Sequence, residues 1–496
     1  MKIKNRQTVI LIFLILILAS FFRLWRIDSV PPGLYSDEAM NGNNALATLE
    51  TGQFKVFYPE NNGREGLFIN IIAFSIKIFG NQAWAIRLPS VLFGILTVLG
   101  IFFLTKILFQ NERVALFTSF FLAASFWHIN FSRISFRAIM APAFLVWSLY
   151  LLWRIIKKTE RQKLKPETNF MFRSSILAVF SGFIYGLGFH SYIAYRITPL
   201  LILAALLAFF FKAPAYLRKK ILLPIFLFLI FAFIAFLPLG FYFLENPQDF
   251  FGRTSQISIF ESSRTILNLF KNTFITSQMF VFLGDFNWRH NYAGAPQLWL
   301  PVALLFLLGI FKSFKKLFSK ISQFRFENLI LLLWFFLLLL PVIVSNEGLP
   351  HSLRAILVAP AAMIFAGLGL EEIIKKIPGK KTTVLFIVVF FILIAGQSYN
   401  RYFREWAKNP NVSLAFNENL SRVADELNDA PENIPKYIIM KNTEIFDYRG
   451  TPMSAQPIMF LTKTFLPQWQ KEKNFFYLPQ KEAVNLPSGA KIIWIE

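Results

Sequence analysis

Cysteine is absent from the 496 residues, so disulfides, thiolate nucleophiles and cysteine-ligated metals are excluded, and the redox compartment stays undetermined. Acidic side chains are scarce, 28 against 51 Lys and Arg, so any cluster of carboxylates needs an explanation. Histidine is scarcer, with four residues: His128, His190, His290 and His351. None stands at the close spacing of a zinc motif, so the sequence predicts no histidine-based metal centre. A Gly-rich phosphate loop, a dinucleotide fingerprint and any repeat of about 20–50 residues are missing too. Charged residues of both signs reach only 16%, too few for a soluble globular domain.

What fills the chain instead is apolar: 55% hydrophobic residues, with 61 Phe. That composition predicts a polytopic α-helical membrane protein. A formal charge of +23 also marks nucleic-acid binders, but here the basic residues interrupt apolar runs and form no single face, which speaks against a nucleic-acid partner. In a membrane protein they collect in cytoplasmic loops. Met1-Lys2-Ile3-Lys4-Asn5-Arg6 before an apolar run imitates a signal peptide. No clean small-residue cleavage site follows and the run continues to Phe22, so a retained first helix is expected.

Spanning a bilayer takes about 20 mostly apolar residues. Eleven runs qualify, at 8–25, 88–108, 114–130, 139–156, 174–190, 197–211, 221–243, 297–311, 328–345, 355–374 and 383–398. The run at 67–80 is shorter and bounded by Gly66 and Gly80, which suits an interfacial or re-entrant helix. With the N-terminus cytoplasmic, the inner loops fall at 106–113, 154–173, 212–220, 312–327 and 375–381; the second holds seven basic residues and the last four in seven positions. The alternation satisfies the positive-inside rule only if 67–80 does not cross, and it leaves the C-terminus extracytoplasmic. Arg23 and Arg26 are the main contrary charges. After Tyr399 a helical pattern at 415–428 and short strand-like runs at 437–440, 458–461 and 491–495 predict a small α/β domain. The expected organisation is a transmembrane domain over 1–398, with a first outer loop at 26–87 and a long one at 244–296, followed by a soluble domain over 399–496.

On this topology the unusual polar clusters all fall at the outer face: Ser36-Asp37-Glu38, Gly63-Arg64-Glu65, Arg87, Ser132-Arg133 with Arg137, His190-Ser191-Tyr192 with Arg196, Asp285 through Arg289-His290-Asn291, and His351-Ser352-Leu353-Arg354. Arginines at outer helix mouths run against the topological trend, and ionisable groups there are functional hypotheses. Plainer roles stand beside them. Asp37 and Glu38 suit the first turn of a surface helix over 37–49 with Ser36 as its cap. Arg87, Arg23 and Arg26 suit snorkelling to headgroups. Trp25, Trp84, Trp127, Trp288 and Trp299 suit an interfacial belt, and Glu245 a solvated charge. His351 and Arg354, within one turn at a helix start, suit an anionic group.

A carboxylate pair with several Arg and His on an outer face suits transfer from a phosphate-bearing lipid, since no nucleotide-sugar pool exists there. The carboxylate would take the acceptor hydroxyl's proton and arginines would offset charge on the leaving phosphate. The order Ser36-Asp37-Glu38-Ala39, Arg64-Glu65-Gly66-Leu67 and Ala85-Ile86-Arg87-Leu88-Pro89-Ser90 resembles the polyprenyl-phosphate-dependent GT-C glycosyltransferases, in the bacterial branch similar to protein O-mannosyltransferases and aminoarabinose transferases. Phe131-Ser132-Arg133, Phe189-His190-Ser191-Tyr192, Gly284-Asp285 and Pro350-His351-Ser352-Leu353-Arg354 extend the resemblance over about 8–400.

The resemblance implies a GT-C fold, an inverting transfer from a lipid-phosphate sugar, and Asp37 as general base with Glu38 and Glu65 in support. It implies donor-phosphate contacts from Arg64, Arg133, Arg137, His190, Arg196, Arg289, His351 and Arg354, with Asp285, His290, Asn291 and Tyr192 elsewhere in the site. Some relatives carry a second acid in the outer loop between the third and fourth helices, where this chain has Arg133 and Arg137. That leaves open whether a divalent cation assists. The expected partners are a polyprenyl-phosphate sugar, membrane lipid and a protein, lipid or glycan acceptor. The competing functions are a polymerase or ligase using a polyprenyl-diphosphate glycan, and a transporter or flippase. A transporter would show paired repeats and midplane charges.

Overall fold

The structure is a computed structural model and describes residues 5–161, 169–212, 214–259, 264–319, 325–441, 446–447, 449–483 and 486–495. Of the basic loops expected at 154–173 and 312–327, residues 162–168 and 320–324 lie outside the described residues.

Helices follow the apolar runs. In chain order they are α1 (Asn5–Leu24), α2 (Ser36–Thr51), α3 (Gly66–Phe79), α4 (Ala83–Phe109), α5 (Glu112–Ala123), α6 (Phe126–Phe131), α7 (Met140–Arg161), α8 (Phe170–Leu187), α9 (Thr198–Lys212), α10 (Ala215–Glu245), α11 (Pro247–Ile257) and α12 (Thr265–Gln278). They continue with α13 (Leu300–Phe318), α14 (Arg325–Leu337), α15 (Leu340–Ile343), α16 (Ala359–Ile374), α17 (Lys380–Tyr399), α18 (Pro410–Ala415), α19 (Glu418–Asn428), α20 (Gln456–Leu461) and α21 (Pro467–Glu472).

Among the described residues, nine helices are long and apolar enough to cross a membrane, and the chain is a polytopic helical membrane protein. The two expected runs outside that number are helical but differ in kind. Run 114–130 splits into α5 and α6, because Ser125 ends one helix and caps the next through the His128 N–H. The 12 residues of α5 reach only about 18 Å. Run 297–311 is α13, whose last turns carry Lys312, Lys315 and Lys316. The run at 67–80 is the 14-residue α3.

The chain divides into two compact units. The first comprises Met1–Trp25, Val91–Ser132 and Arg137–Arg401. Its helices cross closely where side chains are missing. On α8, a Cβ at Gly182 would meet the Phe228 carbonyl of α10, and one at Gly186 the Ala232 carbonyl. This is the small-x-x-x-small packing of membrane helices. Gly309 of α13 and Gly369 of α16 do the same against the Phe365 and Leu305 carbonyls. Helix α16 is buried along nearly its whole length.

The second unit comprises Arg26–Ser90, Arg133–Phe136 and Tyr402–Glu496. Strands β1 (Phe57–Tyr58) and β2 (Arg64–Glu65) pair antiparallel, with Phe57 opposite Glu65. Strands β3 (Lys436–Met440), β4 (Phe475–Pro479) and β5 (Lys491–Ile495) form a parallel sheet in the order β4-β3-β5, as the expected α/β tail requires. One expectation is corrected: 458–461 lies in α20, not in a strand. Pro457 sits in the first turn, where its fixed φ starts a helix and its missing N–H does no harm. Ile458 and Met459 join the sheet's apolar core with Leu420, Ile438, Phe465 and Phe475.

Candidate functional site

The first loop builds its acidic cluster from backbone outward. The N-cap of α2 is Tyr35, whose N–H donates to Glu38 Oε2 at 3.4 Å, the reach-back half of a capping box. Ser36, expected as cap, is already helical, and its hydroxyl accepts from Asn417 Nδ2 at 3.1 Å. Nor is α2 a surface helix, since ten of its 16 residues are buried. Consecutive helical residues point about 100° apart, and that rotation separates the two acids. Glu38 faces inward and is fully buried. Its Oε1 accepts from Arg87 Nε at 3.0 Å and from the Ser135 N–H at 2.8 Å, and Oε2 from Arg87 Nη2 at 3.3 Å.

Arg87 is therefore not a snorkelling residue. It has no exposed surface and also donates to the carbonyls of Ile27, Pro31 and Gly33 at 3.4, 3.1 and 2.8 Å. A guanidinium satisfied by one carboxylate and three carbonyls fixes the loop before α2. Asp37 faces the other way and is half-buried. Its Oδ1 accepts from Asn61 Nδ2 at 2.8 Å, and among the described residues Asn61 is the one hydrogen-bond partner of this carboxylate. The first turn of α2 favours an anion there. Asn61 is presented by the turn Asn61-Asn62-Gly63, with φ of 54°, 62° and 83°, a left-handed run that Asn and Gly tolerate best.

Arg64 and Glu65, on the strand leaving that turn, are buried. Arg64 donates to Asn41 Oδ1 at 2.7 Å and Asn44 Oδ1 at 2.9 Å and lies 3.8 Å from Glu60. Arg133 is buried, with Nη2 donating to the carbonyls of Arg26 at 3.1 Å and Val30 at 2.7 Å, its guanidinium over the rings of Tyr402 and Phe403. Desolvation lowers its pKa to about 10, so it stays a cation at neutral pH. Both arginines brace the cluster through groups of the protein itself.

A second constellation lies in the other unit, on the segments 284–297 and 345–355. Asp285 Oδ1 accepts from the Asn287 N–H at 2.8 Å, while Oδ2 accepts from the Ser352 N–H at 2.8 Å and faces His290 Nδ1 at 3.1 Å and His351 Nδ1 at 4.0 Å. The two imidazole centroids are 4.9 Å apart. Asn291 donates to the Asp285 carbonyl at 3.2 Å, and Asn130 to the Arg289 carbonyl at 2.7 Å. Sequence spacing had set the histidines apart, and the fold brings two of the four together beside an acid. Trp127, expected in an interfacial belt, is instead buried and donates to the Ser352 carbonyl at 3.0 Å. Arg354 donates to the Ser345 hydroxyl, to the Glu347 carbonyl at 2.7 Å and to Glu347 Oε2 at 2.9 Å.

The remaining residues of the same unit are dispersed. His190 Nε2 lies 2.8 Å from the Ala235 carbonyl. Arg196 donates to the Phe250 carbonyl at 2.8 Å over the Phe243 and Phe250 rings. Arg137 lies over the ring of Tyr192 at 5.9 Å. Arg23, expected to snorkel, is buried, with Nη2 2.7 Å from His128 Nδ1. A guanidinium can only donate, so His128 Nδ1 accepts. Arg26, Trp25 and Glu245 are exposed. Sequence reasoning missed Asn61 and Glu347; of these only Asn61, in its Asn-Asn-Gly turn, carried a signal.

Comparisons with known proteins give a consistent fold. Residues 67–242 match the family model of dolichyl-phosphate-mannose-protein mannosyltransferases. No curated protein matches the chain by sequence. Among solved structures, ArnT from Cupriavidus metallidurans bound to undecaprenyl phosphate is 14% identical with a TM-score of 0.56, over 93% of this chain and 86% of that one. The apo oligosaccharyltransferase of Archaeoglobus fulgidus is 13% identical with a TM-score of 0.55, over 96% of this chain but only 65% of that one. The same archaeal enzyme in complex with zinc and sulfate gives 14% and 0.54, over 95% and 62%. At these identities the likeness is one of fold, and the chain spans less than two thirds of the archaeal enzyme.

Proposed function

We propose that this chain, a GT-C membrane glycosyltransferase, transfers a sugar from a polyprenyl-phosphate donor to a hydroxyl acceptor at the outer face of the cytoplasmic membrane, with inversion. The observation that carries the reading is the division of labour between Asp37 and Glu38. Glu38 has both oxygens committed to Arg87 and backbone N–H groups. Asp37 is half-buried at a helix start and oriented by a single neutral donor at 2.8 Å. A general base needs such a carboxylate, held in place but with an oxygen free to take a proton. The acceptor oxygen attacks the anomeric carbon as its proton passes to Asp37. The bond from that carbon to the phosphate oxygen breaks on the opposite face, and the lipid phosphate leaves with the electron pair.

Lipid phosphate as the carrier is supported by the matched family and by the fold relative whose structure holds undecaprenyl phosphate. Arg354, a buried residue whose guanidinium binds the carboxylate of the exposed Glu347, is our first assignment for the donor's phosphate. Arg64, bound to Asn41 and Asn44, and Arg133, bound to the Arg26 and Val30 carbonyls, act as braces. Asp37→Asn tests the reading: transfer to glycans or glycolipids, followed by mass spectrometry, should fall about 10²–10⁴-fold with expression unchanged. Near-normal turnover would overturn it.

A further inference from the structure

We propose that Asp285, His290 and His351 bind one divalent metal of the zinc class. Their ligand atoms all lie within 4.8 Å of one another. Tetrahedral zinc, at about 2.0–2.1 Å from nitrogen and oxygen ligands, places those ligands about 3.3 Å apart. The observed separations from Asp285 Oδ2, 3.1 Å to His290 Nδ1 and 4.0 Å to His351 Nδ1, lie on either side of that value. Small side-chain rotations close the set.

An ordinary acid–histidine hydrogen bond explains His290 but not His351. The Arg354 N–H donates to His351 Nδ1 at 3.4 Å, so the nitrogen nearest the carboxylate carries a lone pair. A lone pair and a carboxylate oxygen repel at this range unless a cation lies between them. A coordinate bond would replace a long, weak hydrogen bond. The carboxylate is also held as metal-site carboxylates are held. The Asn287 and Ser352 N–H groups fix its two oxygens, and Trp127 fixes the Ser352 carbonyl. Two imidazoles and one carboxylate, without sulfur, suit zinc and leave its fourth position open. The site differs in residues and segment from the first-loop carboxylates, and its existence does not depend on the transfer reaction.

The full-length chain in detergent, stripped with chelator and titrated with zinc chloride, tests this by elemental analysis after gel filtration. Background is low, because the chain has no cysteine and its other two histidines are His128 and His190, both engaged inside the protein. One zinc per chain is expected. His351→Gln and Asp285→Asn should each weaken binding by more than the about 10–100-fold typical of losing an outer-shell partner. Asp285→Asn keeps the side chain's shape and an oxygen for one of the two backbone donors, and thermal unfolding without zinc checks its fold. Cobalt chloride should give the visible bands of a low-coordinate site in the unsubstituted chain, and those bands should vanish in both variants. Zinc retained equally by the variants, or not retained by the unsubstituted chain, overturns the site.

Discussion

Glu38 and Asp37 are neighbours of like chemistry that the fold places in different surroundings, and two predictions separate them. Glu38 and Arg87 form a buried pair 3.0 Å apart with no exposed surface on either side chain. Removing one partner leaves an uncompensated buried charge, which typically costs about 3–5 kcal/mol. Arg87→Met should therefore lower the unfolding midpoint sharply, and Arg87→Met with Glu38→Leu should lower it less than the single change. A double variant less stable than Arg87→Met would show that the carboxylate's backbone contacts matter more than its charge partner. Asn61→Ala removes the donor that aims Asp37 but no buried charge. It should slow turnover by about tenfold to a hundredfold, as misplaced reacting groups do, with KM and the unfolding midpoint nearly unchanged. Asp37 was legible in the sequence because acids are rare and this one opens a helix. The partner of Arg87 was not legible, since an arginine at the start of a transmembrane run looks the same whether it reaches headgroups or a buried carboxylate 49 positions away.

Among the helices, hydropathy located nearly every element, but the sequence was silent on how closely they approach. The α8–α10 crossing depends on Gly182 and Gly186, which let the α10 carbonyls touch the α8 backbone. Gly182→Leu inserts a side chain where the Phe228 carbonyl sits, and overpacking of this kind costs about 1–3 kcal/mol. The expected result is a lower unfolding midpoint in detergent, with Gly182→Ala intermediate. Equal midpoints for all three chains would mean that the helices part without loss. The misread element, α20, shows the limit of short windows. Four apolar residues at 458–461 have no period that distinguishes strand from helix. What decides is Pro457 before them and the fit of Phe460 against Gly42 of α2, where a Cβ would meet the ring.

For the molecule as a whole, crossing parity gives a direct test of which helices cross the membrane and in which sense. Hydropathy alone predicts eleven spans, whereas nine helices among the described residues meet the length and charge requirements; α5 and α13 make the difference. The meeting of His351 with Asp285 and His290 was illegible for a related reason, because side chains on segments this far apart in sequence meet only after the helices between them pack. The chain has no cysteine, so single cysteines can report on sidedness without background. Replacing Arg6, Lys158, Lys376 and Lys471, one at a time, brackets α5 and α13. Four expected spans, α1, α4, α5 and α7, separate Arg6 from Lys158, and six, α8, α9, α10, α13, α14 and α16, separate Lys158 from Lys376. Even numbers keep all three on one side, which the positive-inside rule makes the cytoplasm, while α17 carries Lys471 across. An impermeant thiol reagent applied outside intact cells should then label Lys471→Cys alone. Labelling of Lys158→Cys and Lys376→Cys together would remove α5 from the crossing set, because both would then lie opposite Arg6. Labelling that distinguished Lys158→Cys from Lys376→Cys would remove α13. Labelling of Arg6→Cys would reverse the sense of the whole protein and place the Asp37 face in the cytoplasm, where nucleotide sugars compete with lipid-linked donors.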